Sequence, residues 1–225
     1  MKKRMSERRR EAVARSLLAA VVGGGLAAVA AVDRTASGEV LAAWNFNGFN
    51  PEFDTTLNAD HGIGVLDLTQ VSSGAAAFGG TTVNAVGDDP SGFALSIVGQ
   101  GLNGRSIEFA ADTMGAARLT VSFAVRSTAS GFVDNRLDAF IGGEWTQIGA
   151  FAGGSDWPLL RFDVDMPAST TFGSAAFRFV LDGATSSSGN IRIDNLRIES
   201  RAVPAPGALA LLGGAGLVAR RRRRR

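Results

Sequence analysis

Apolar and polar residues alternate over short stretches along most of the chain between residues 39 and 202. The segment from Leu119 to Val125 has this period of two, which places one face of a strand in a core and the other in solvent. The same pattern recurs from Leu160 to Met166, from Phe177 to Leu181 and from Phe93 to Ile97. Less regular apolar segments give five further candidate strands: Val40 to Phe46, Val65 to Leu68, Ile107 to Phe109, Leu137 to Ile141 and Trp145 to Phe151.

Clusters of glycine and polar residues separate these segments and mark turns. They are Gly142-Gly143, Gly153-Gly154, Asp182-Gly183 and the longer loop from Asp88 to Gly92. Sustained helical spacing is absent from this part of the sequence. Many short strands joined by glycine-rich turns predict an all-β fold, an antiparallel sandwich of two sheets.

The last predicted strand changes phase along its length. Ile191 and Ile193 occupy odd positions, whereas Leu196 and Ile198 occupy even ones. A strand with one buried face needs an extra residue to change phase, so we predict a β-bulge at Asp194-Asn195. The alternative is a strand that starts only at the second of these two residues, in which case the change of phase has no structural meaning.

The N-terminal segment has the three-part layout of a secretory signal peptide, here residues 1–38. Lysines and arginines dominate up to Arg15, an apolar stretch follows from Ser16 to Val32, and small residues stand at Ala36-Ser37-Gly38. Cleavage after residue 38 and cleavage after Ala30 both fit this pattern. The alternative is an uncleaved N-terminal membrane helix.

The C-terminal segment, residues 203–225, combines a proline-containing motif, an apolar stretch and a basic end. The motif is Val203, Pro204, Ala205 and Pro206, and the apolar stretch runs from Gly207 to Ala219. The basic end consists of Arg220, Arg221, Arg222, Arg223, Arg224 and Arg225. Because arginines do not cross a bilayer readily, this order predicts a short membrane helix with a stop on the cytoplasmic side.

Charge is distributed unevenly, and the overall balance of +2 hides this. The body between residues 39 and 203 carries nine arginines, no lysine and eighteen carboxylates, a net charge of −9. An acidic body repels phosphate, which excludes nucleic-acid binding as an expected function. The sequence contains no cysteine and one histidine, so thiolate metal sites, cysteine nucleophiles and multi-histidine metal centres are excluded.

Two tryptophans are candidates for stacking against sugar rings. Trp145 follows the turn at Gly142-Gly143, and Trp157 precedes Pro158 in the loop after Gly153-Gly154. Positions next to turns favour exposure, and an aromatic face matches the apolar face of a pyranose. The alternative is that both are ordinary core or rim residues.

Catalytic chemistry has weaker support. Asp163 and Asp165 project from one face of their predicted strand, as glycosidase carboxylates could, but a solvated sandwich face gives the same pattern. His61 lies in Asn58-Ala59-Asp60-His61-Gly62, which is typical of a polar loop. We therefore expect a protein that is not an enzyme and has no catalytic residues.

The C-terminal segment, together with the signal peptide, resembles the PEP-CTERM sorting domain of exported bacterial proteins. The family motif usually has glutamate between its two prolines, where this sequence has Ala205. The resemblance implies recognition and processing by an exosortase at Val203 to Pro206. It also implies export across the inner membrane, a membrane-tethered intermediate and then a location at the cell surface or outside the cell.

The body resembles jelly-roll sandwiches, including carbohydrate-binding modules, through Ala43 to Gly48 at its start and Asn190 to Leu196 at its end. In that fold the first and last strands commonly neighbour each other, and some members hold a structural calcium there. The resemblance makes Asn47 and Asp194 candidate calcium ligands, although calcium takes six to eight oxygens. The alternative is that both bond their own backbone at a turn and a bulge.

These features together predict an exported, non-enzymatic sandwich protein, residues 39–202, of the cell surface or extracellular matrix. Its expected partners are an exosortase, the export machinery and, transiently, the membrane. A carbohydrate-binding module associated with exopolysaccharide is the first alternative, and a glycan-active hydrolase is the second. No cofactor is expected apart from the candidate calcium.

Overall fold

The computed structural model describes residues 38–113, 115–166 and 174–201, and these residues form thirteen strands joined by loops and two 3-10 turns. The strands are β1 (Val40–Trp44), β2 (Thr56–Asn58), β3 (His61–Gly62), β4 (Gly64–Asp67), β5 (Ala75–Gly79), β6 (Phe93–Val98), β7 (Arg105–Asp112), β8 (Arg118–Ser127), β9 (Asn135–Ile141), β10 (Glu144–Phe151), β11 (Leu159–Asp165), β12 (Ser174–Leu181) and β13 (Asn190–Ser200). The 3-10 turns span Ser72–Gly74 and Gln100–Leu102. None of the helical segments within the described ranges is long and apolar enough to cross a bilayer. The predicted signal helix and C-terminal membrane helix lie outside these ranges.

The strands form two antiparallel sheets, one of seven strands and one of six. In the seven-stranded sheet the long strand β13 pairs with β8 on one side and with β6 and β1 on the other. β11, β5 and β3 extend this sheet beyond β8, β6 and β1. The six-stranded sheet has the order β10-β9-β12-β7-β4-β2. β1 and β13 pair directly, so the expected neighbouring of the first and last strands is confirmed.

The two sheets pack face to face around an aromatic core, because each strand turns its alternate apolar residues inward. Phe123 of the seven-stranded sheet lies 4.7 Å from Phe179 of the six-stranded sheet, measured between ring centroids. Trp44 meets the edge of Phe109 in the same way at 6.2 Å. Burial of such rings supplies most of the energy that holds a sandwich together.

The predicted all-β sandwich is confirmed, and every predicted strand lies on an observed one. The turn at Gly142-Gly143 joins β9 to β10 with both residues at positive φ, which glycine adopts without strain. β2, β3 and β5 were not predicted. The predicted loop position of His61 is wrong, because His61 pairs with Ala43 of β1 as part of a two-residue strand. Strands this short leave no periodic signal.

The predicted bulge in β13 is confirmed. The pairing of β13 with β8 shifts by one residue between Asp194 and Arg197, and Asn195 takes the left-handed conformation with φ of 49°. Asn195 donates its backbone N–H to Asp194 Oδ1 at 2.8 Å, which stabilises this conformation locally. The shift lets apolar residues before and after the bulge face the same core, as the change of phase requires.

Candidate functional site

The outer face of the six-stranded sheet, here called the open face, carries a row of polar residues that crosses all its strands. Cross-strand pairing places partners side by side on one face of a sheet. The residues of this polar row are Gln147, Asp138, Arg178, Glu108, Asp67 and Thr56. Their neighbours along each strand, such as Leu137 and Phe177, point into the core and are fully buried. The open face therefore presents hydrogen-bonding groups to solvent along a line perpendicular to the strands.

A second row, here called the apolar row, runs parallel to the polar row, displaced by two residues on each strand. Its residues are Trp145, Phe140, Ala176, Ala110 and Val65, and the polar Asn58 ends the row on β2. Phe140 is 41% exposed and Val65 is 46% exposed, so core packing does not account for them. Ala176 and Ala110 lie between the bulkier Phe140 and Val65, so the middle of the row is recessed. An apolar strip beside a polar one suits a ligand with an apolar face and a hydroxylated rim.

The ring of Trp145 is held by two neighbours on the open face. The guanidinium of Arg178 lies 4.5 Å from the indole centroid, in a cation–π arrangement. Phe140 meets the same ring at an angle of 62°, with centroids 5.3 Å apart. Trp145 is half-buried as a result, and the three side chains form one fixed group. A rigid aromatic group loses little entropy on binding a ligand.

Asp138 anchors the polar row. It is buried, and its Oδ2 accepts a hydrogen bond from Arg178 Nε at 2.9 Å. Arg136 Nε lies 3.2 Å from Asp138 Oδ1. Within the described residues no donor meets Oδ1 with hydrogen-bonding geometry. Asp138 thus lies between two arginines, and the nearby charge of Arg136 offsets the burial of Oδ1.

A cleft of about 610 Å³ opens at the β4–β7 side of the apolar row. Its lining includes Asn58, Val65 and Ala110 of the row itself, together with Ile63, which is 69% exposed. The cleft is mostly apolar, and it overlaps the β2–β4–β7 end of the apolar row. The distance from β10 to β4 is four strand spacings, about 19 Å at about 4.8 Å each.

The structure separates the two tryptophans predicted for sugar stacking. Trp145 is the second residue of β10, on the open face of the six-stranded sheet. Trp157 is half-buried in the loop between Gly154 and Leu159, which both pair with β8 of the seven-stranded sheet. The two rings therefore belong to different surfaces. Stacking by either residue stays a prediction.

The candidate calcium ligands both hold the loop of residues 80–92, which joins β5 to β6. Asn47 Oδ1 accepts the N–H of Phe93 at 2.8 Å, and Asn47 Nδ2 donates to the carbonyl of Pro90 at 3.2 Å. Asp194 Oδ2 accepts the N–H of Thr81 at 2.7 Å, and its Oδ1 accepts that of Asn195.

The side-chain oxygens of Asn47 and Asp194, which would bind calcium, already accept hydrogen bonds from backbone N–H groups. In the described part of the chain, no three acidic or histidine side chains converge in a way that could hold a metal ion. Asp194 bonds the backbone at the bulge, as the alternative interpretation expects, whereas Asn47 bonds the backbone of a segment more than forty residues away rather than that of its own turn. Calcium binding by Asn47 and Asp194 stays a prediction.

Asp194 is fully buried beneath the 80–92 loop, and this alters its acidity. Burial raises the pKa of its carboxyl to about 7, and the hydrogen bonds from the backbone of Thr81 and Asn195 lower it only in part. Asn195 continues the attachment by donating from Nδ2 to the carbonyls of Thr81 at 2.7 Å and Val83 at 3.0 Å. The bulge is therefore the anchor of the loop.

His61 and the paired acids have structural partners. His61 Nε2 lies 2.9 Å from Asp89 Oδ2, and hydrogen bonds from Asn45 and His61 lower the pKa of Asp89. Asp163 accepts hydrogen bonds from Thr120 and Arg201, whose donor atoms lie at 2.7 Å and 2.5 Å.

Asp165 forms an ion pair with Arg118 at 2.9 Å on the same outer surface of the seven-stranded sheet. The acid pair Asp163 and Asp165 therefore matches the solvated-face interpretation, in which arginines neutralise exposed carboxylates.

Sequence reasoning missed Phe140, Arg178 and Asp138, the residues that surround Trp145. Their strands were recognised, but nothing in the sequence states which strands become neighbours. The alternation within β9 and β12 gives only the outward direction of each side chain. The sorting motif Val203 to Pro206 and the arginines from Arg220 to Arg225 lie outside the described residues.

No protein-family model matches the sequence, and no curated protein is significantly similar to it. The tandem CBM22-1–CBM22-2 domain of Paenibacillus barcinonensis Xyn10C is 12% identical with a TM-score of 0.43, over 76% of this chain and 49% of that one. This chain thus spans about half the length of that tandem domain.

Two single modules give similar values. The C-terminal family 22 carbohydrate-binding module of Clostridium thermocellum Xyn10B is 10% identical with a TM-score of 0.42, over 74% of this chain and 96% of that one. The CBM1 module of BiXyn10A is 14% identical with a TM-score of 0.41, over 72% and 98%. TM-scores below 0.5 place no constraint on what this chain binds.

Proposed function

We propose that the body is a non-catalytic module that binds polysaccharide across the open face of the six-stranded sheet. The observation that carries the proposal is the pair of parallel rows, one apolar and one polar, at right angles to the strands. Phe140 and Trp145 provide the apolar surface, and Arg178 provides donors next to it. A pyranose has the same two-sided character, with apolar C–H faces and a rim of hydroxyls.

The chemistry of the rows favours a neutral glycan at this face. Asp138 already accepts a hydrogen bond from Arg178, so the two charges offset each other. Glu108 and Asp67 continue the polar row and offer carboxylate acceptors to hydroxyl groups. A polyanion would meet these acids at close range, whereas a neutral sugar would donate hydroxyl hydrogens to them.

The extent of the site favours a chain over a single sugar. The apolar row and its cleft span about 19 Å, which is roughly four sugar units if each unit takes about one strand spacing. Because each unit contributes a modest contact, affinity would rise with oligosaccharide length. We infer binding along the interior of a linear polymer.

We also propose that the chain reaches the cell surface or extracellular matrix through its C-terminal segment. The support is the order of the motif Val203 to Pro206, the apolar stretch Gly207 to Ala219 and the terminal arginines. About 20 Å of helix is short for roughly 30 Å of hydrocarbon, which suits a transient anchor. A polysaccharide-binding body and a surface-sorting tail serve one purpose, retention of the protein among extracellular glycans.

The binding proposal is tested by retention on neutral polysaccharides. The full-length chain is run through native gels that contain soluble xylan, glucan, mannan or galactan, and its mobility is compared with that in a plain gel. We expect retardation by at least one polymer, and loss of that retardation in Trp145→Ala. Unchanged mobility in every polymer, or equal retardation of the variant, would contradict the proposal.

A further inference from the structure

The outer face of the seven-stranded sheet carries two arginines without an acidic partner. Within the described ranges, six of the nine arginines lie within 4 Å of a carboxylate. Arg126 and Arg192 have no such contact. They stand directly opposite each other on β8 and β13, and both therefore project from the same face. Like charges at directly opposed positions repel, so this pair is unfavourable unless an anion neutralises it.

The row that contains these arginines continues to a buried hydroxyl. Arg192 pairs on its other side with Ser96 of β6, so Arg126, Arg192 and Ser96 form a line across three strands, here called the arginine row. Ser96 is fully buried, and its Oγ has no hydrogen-bond partner among the described residues. A buried hydroxyl without a partner is unusual, because it loses its bonds to water and gains none in return.

The position of Arg192 is fixed. Its guanidinium lies 4.8 Å from the ring centroid of Phe78, which is itself 39% exposed. Burial and the charge of Arg126 together lower the pKa of Arg192. The loop that carries Trp157 runs along β8. Gly154, before it, pairs with Arg126, and Leu159, after it, pairs with Ala124. Phe78 thus lies on the strand beyond Ser96, and the segment that carries Trp157 passes the Arg126 end of the row.

We propose that the arginine row is a binding site for an oxyanion, the carboxylate or sulfate group of an acidic glycan. Guanidinium groups bind such oxygens in pairs, and two adjacent ones cradle a single anionic group. The Oγ of Ser96 donates to the same group and so gains the partner it lacks. The site lies on the opposite sheet from the open face, and it takes the ligand class that the acidic polar row disfavours.

The test measures binding of polygalacturonate to the full-length chain by isothermal titration at low salt, with neutral galactan as the uncharged comparison. Arg126→Gln and Arg192→Gln each remove one charge from the row. Arg118→Gln is the matched control, because it removes an exposed arginine from the same face of β8 that is paired with Asp165. We expect at least about fivefold weaker binding for each row variant and less than about twofold for the control.

Further measurements distinguish a specific anion site from diffuse electrostatic attraction. Inorganic sulfate, followed by amide NMR shifts at Arg126, Arg192 and Ser96, tests whether the anionic group alone is recognised. Arg192→Lys keeps the charge if the glutamine variant proves unstable, and Phe140→Ala on the other sheet should leave polygalacturonate binding unchanged. Equal losses in Arg118→Gln would mean diffuse attraction and would overturn the proposal, as would the absence of binding to both polygalacturonate and sulfate.

Discussion

Arg178 contacts Trp145 and Asp138 at the same time, with its guanidinium 4.5 Å from the indole centroid and its Nε 2.9 Å from the buried carboxylate. Arg178 and Asp138 are opposite residues on β12 and β9. This geometry couples the aromatic and charged parts of the open face. The position of the proposed stacking surface thus depends on the ion pair between Arg178 and Asp138 beside it.

Arg178→Lys should weaken both stability and glycan binding. Lysine keeps the charge but loses the planar group that lies over Trp145 and the fixed donor to Asp138. We expect a loss of about 1 kcal/mol in the free energy of unfolding. Arg136→Lys is the control, since Arg136 contacts the same carboxylate from a more exposed position. Urea denaturation of both variants measures the effect, and an equal loss in the two would show that Arg178 has no special role.

Asp194→Asn should remove a distinct pH dependence from the stability of the chain. The carboxyl has a pKa of about 7 in the folded state and an ordinary value near 3.8 when unfolded. The folded state therefore holds a proton that the unfolded state releases, and stability falls as pH rises from about 4 to about 7. Between pH 5 and pH 8, the wild-type chain should lose about 2–3 kcal/mol relative to the variant. Parallel pH profiles of the two proteins, measured by chemical denaturation, would contradict this assignment.

Asn195→Ala should loosen the 80–92 loop. Alanine at a φ of 49° costs about 1 kcal/mol, and the two side-chain hydrogen bonds to Thr81 and Val83 are lost as well. We expect a total destabilisation of about 2–3 kcal/mol. Asn195→Gly is the matched variant, because glycine accepts the backbone conformation but also lacks the two bonds. Limited proteolysis should cut within residues 80–92 in both variants, and resistance in both would show that the bulge does not anchor the loop.

The sorting proposal predicts a mature protein without its two terminal segments. Mass spectrometry of the surface-exposed form should find an N-terminus after the signal peptide and a C-terminus at or near Val203 to Pro206. A variant in which Pro204 and Pro206 are both alanine should retain the arginine-rich end and accumulate in the membrane fraction. Recovery of an intact C-terminus, including Arg225, from the surface fraction of the wild type would refute the processing step.

Much of the fold was predictable because it depends on local pattern. The alternation in β8 and β11 gave the strands, and the change of phase in β13 gave the bulge before its left-handed residue was seen. Strand β5 was missed because its sequence, three alanines followed by Phe78 and a glycine, has no contrast between faces.

The site was less predictable because it depends on non-local pairing. Trp145 was recognised as a candidate, but Arg178 reaches it from a strand more than thirty positions later in the sequence. Arg126 and Arg192 are likewise joined only by the register of β8 with β13. The sequence states which way each side chain points, and the fold alone decides which of them meet.

The most direct test of the central claim compares two exposed phenylalanines on opposite sheets. Phe140 lies in the apolar row and is 41% exposed, whereas Phe93 starts β6 of the seven-stranded sheet and is 49% exposed. Isothermal titration with the neutral polysaccharide that retards the chain most should show Phe140→Ala binding at least about tenfold more weakly, which is about 1.4 kcal/mol, and Phe93→Ala binding like the wild type. Equal affinities for Phe140→Ala and the wild type would contradict polysaccharide binding at the open face.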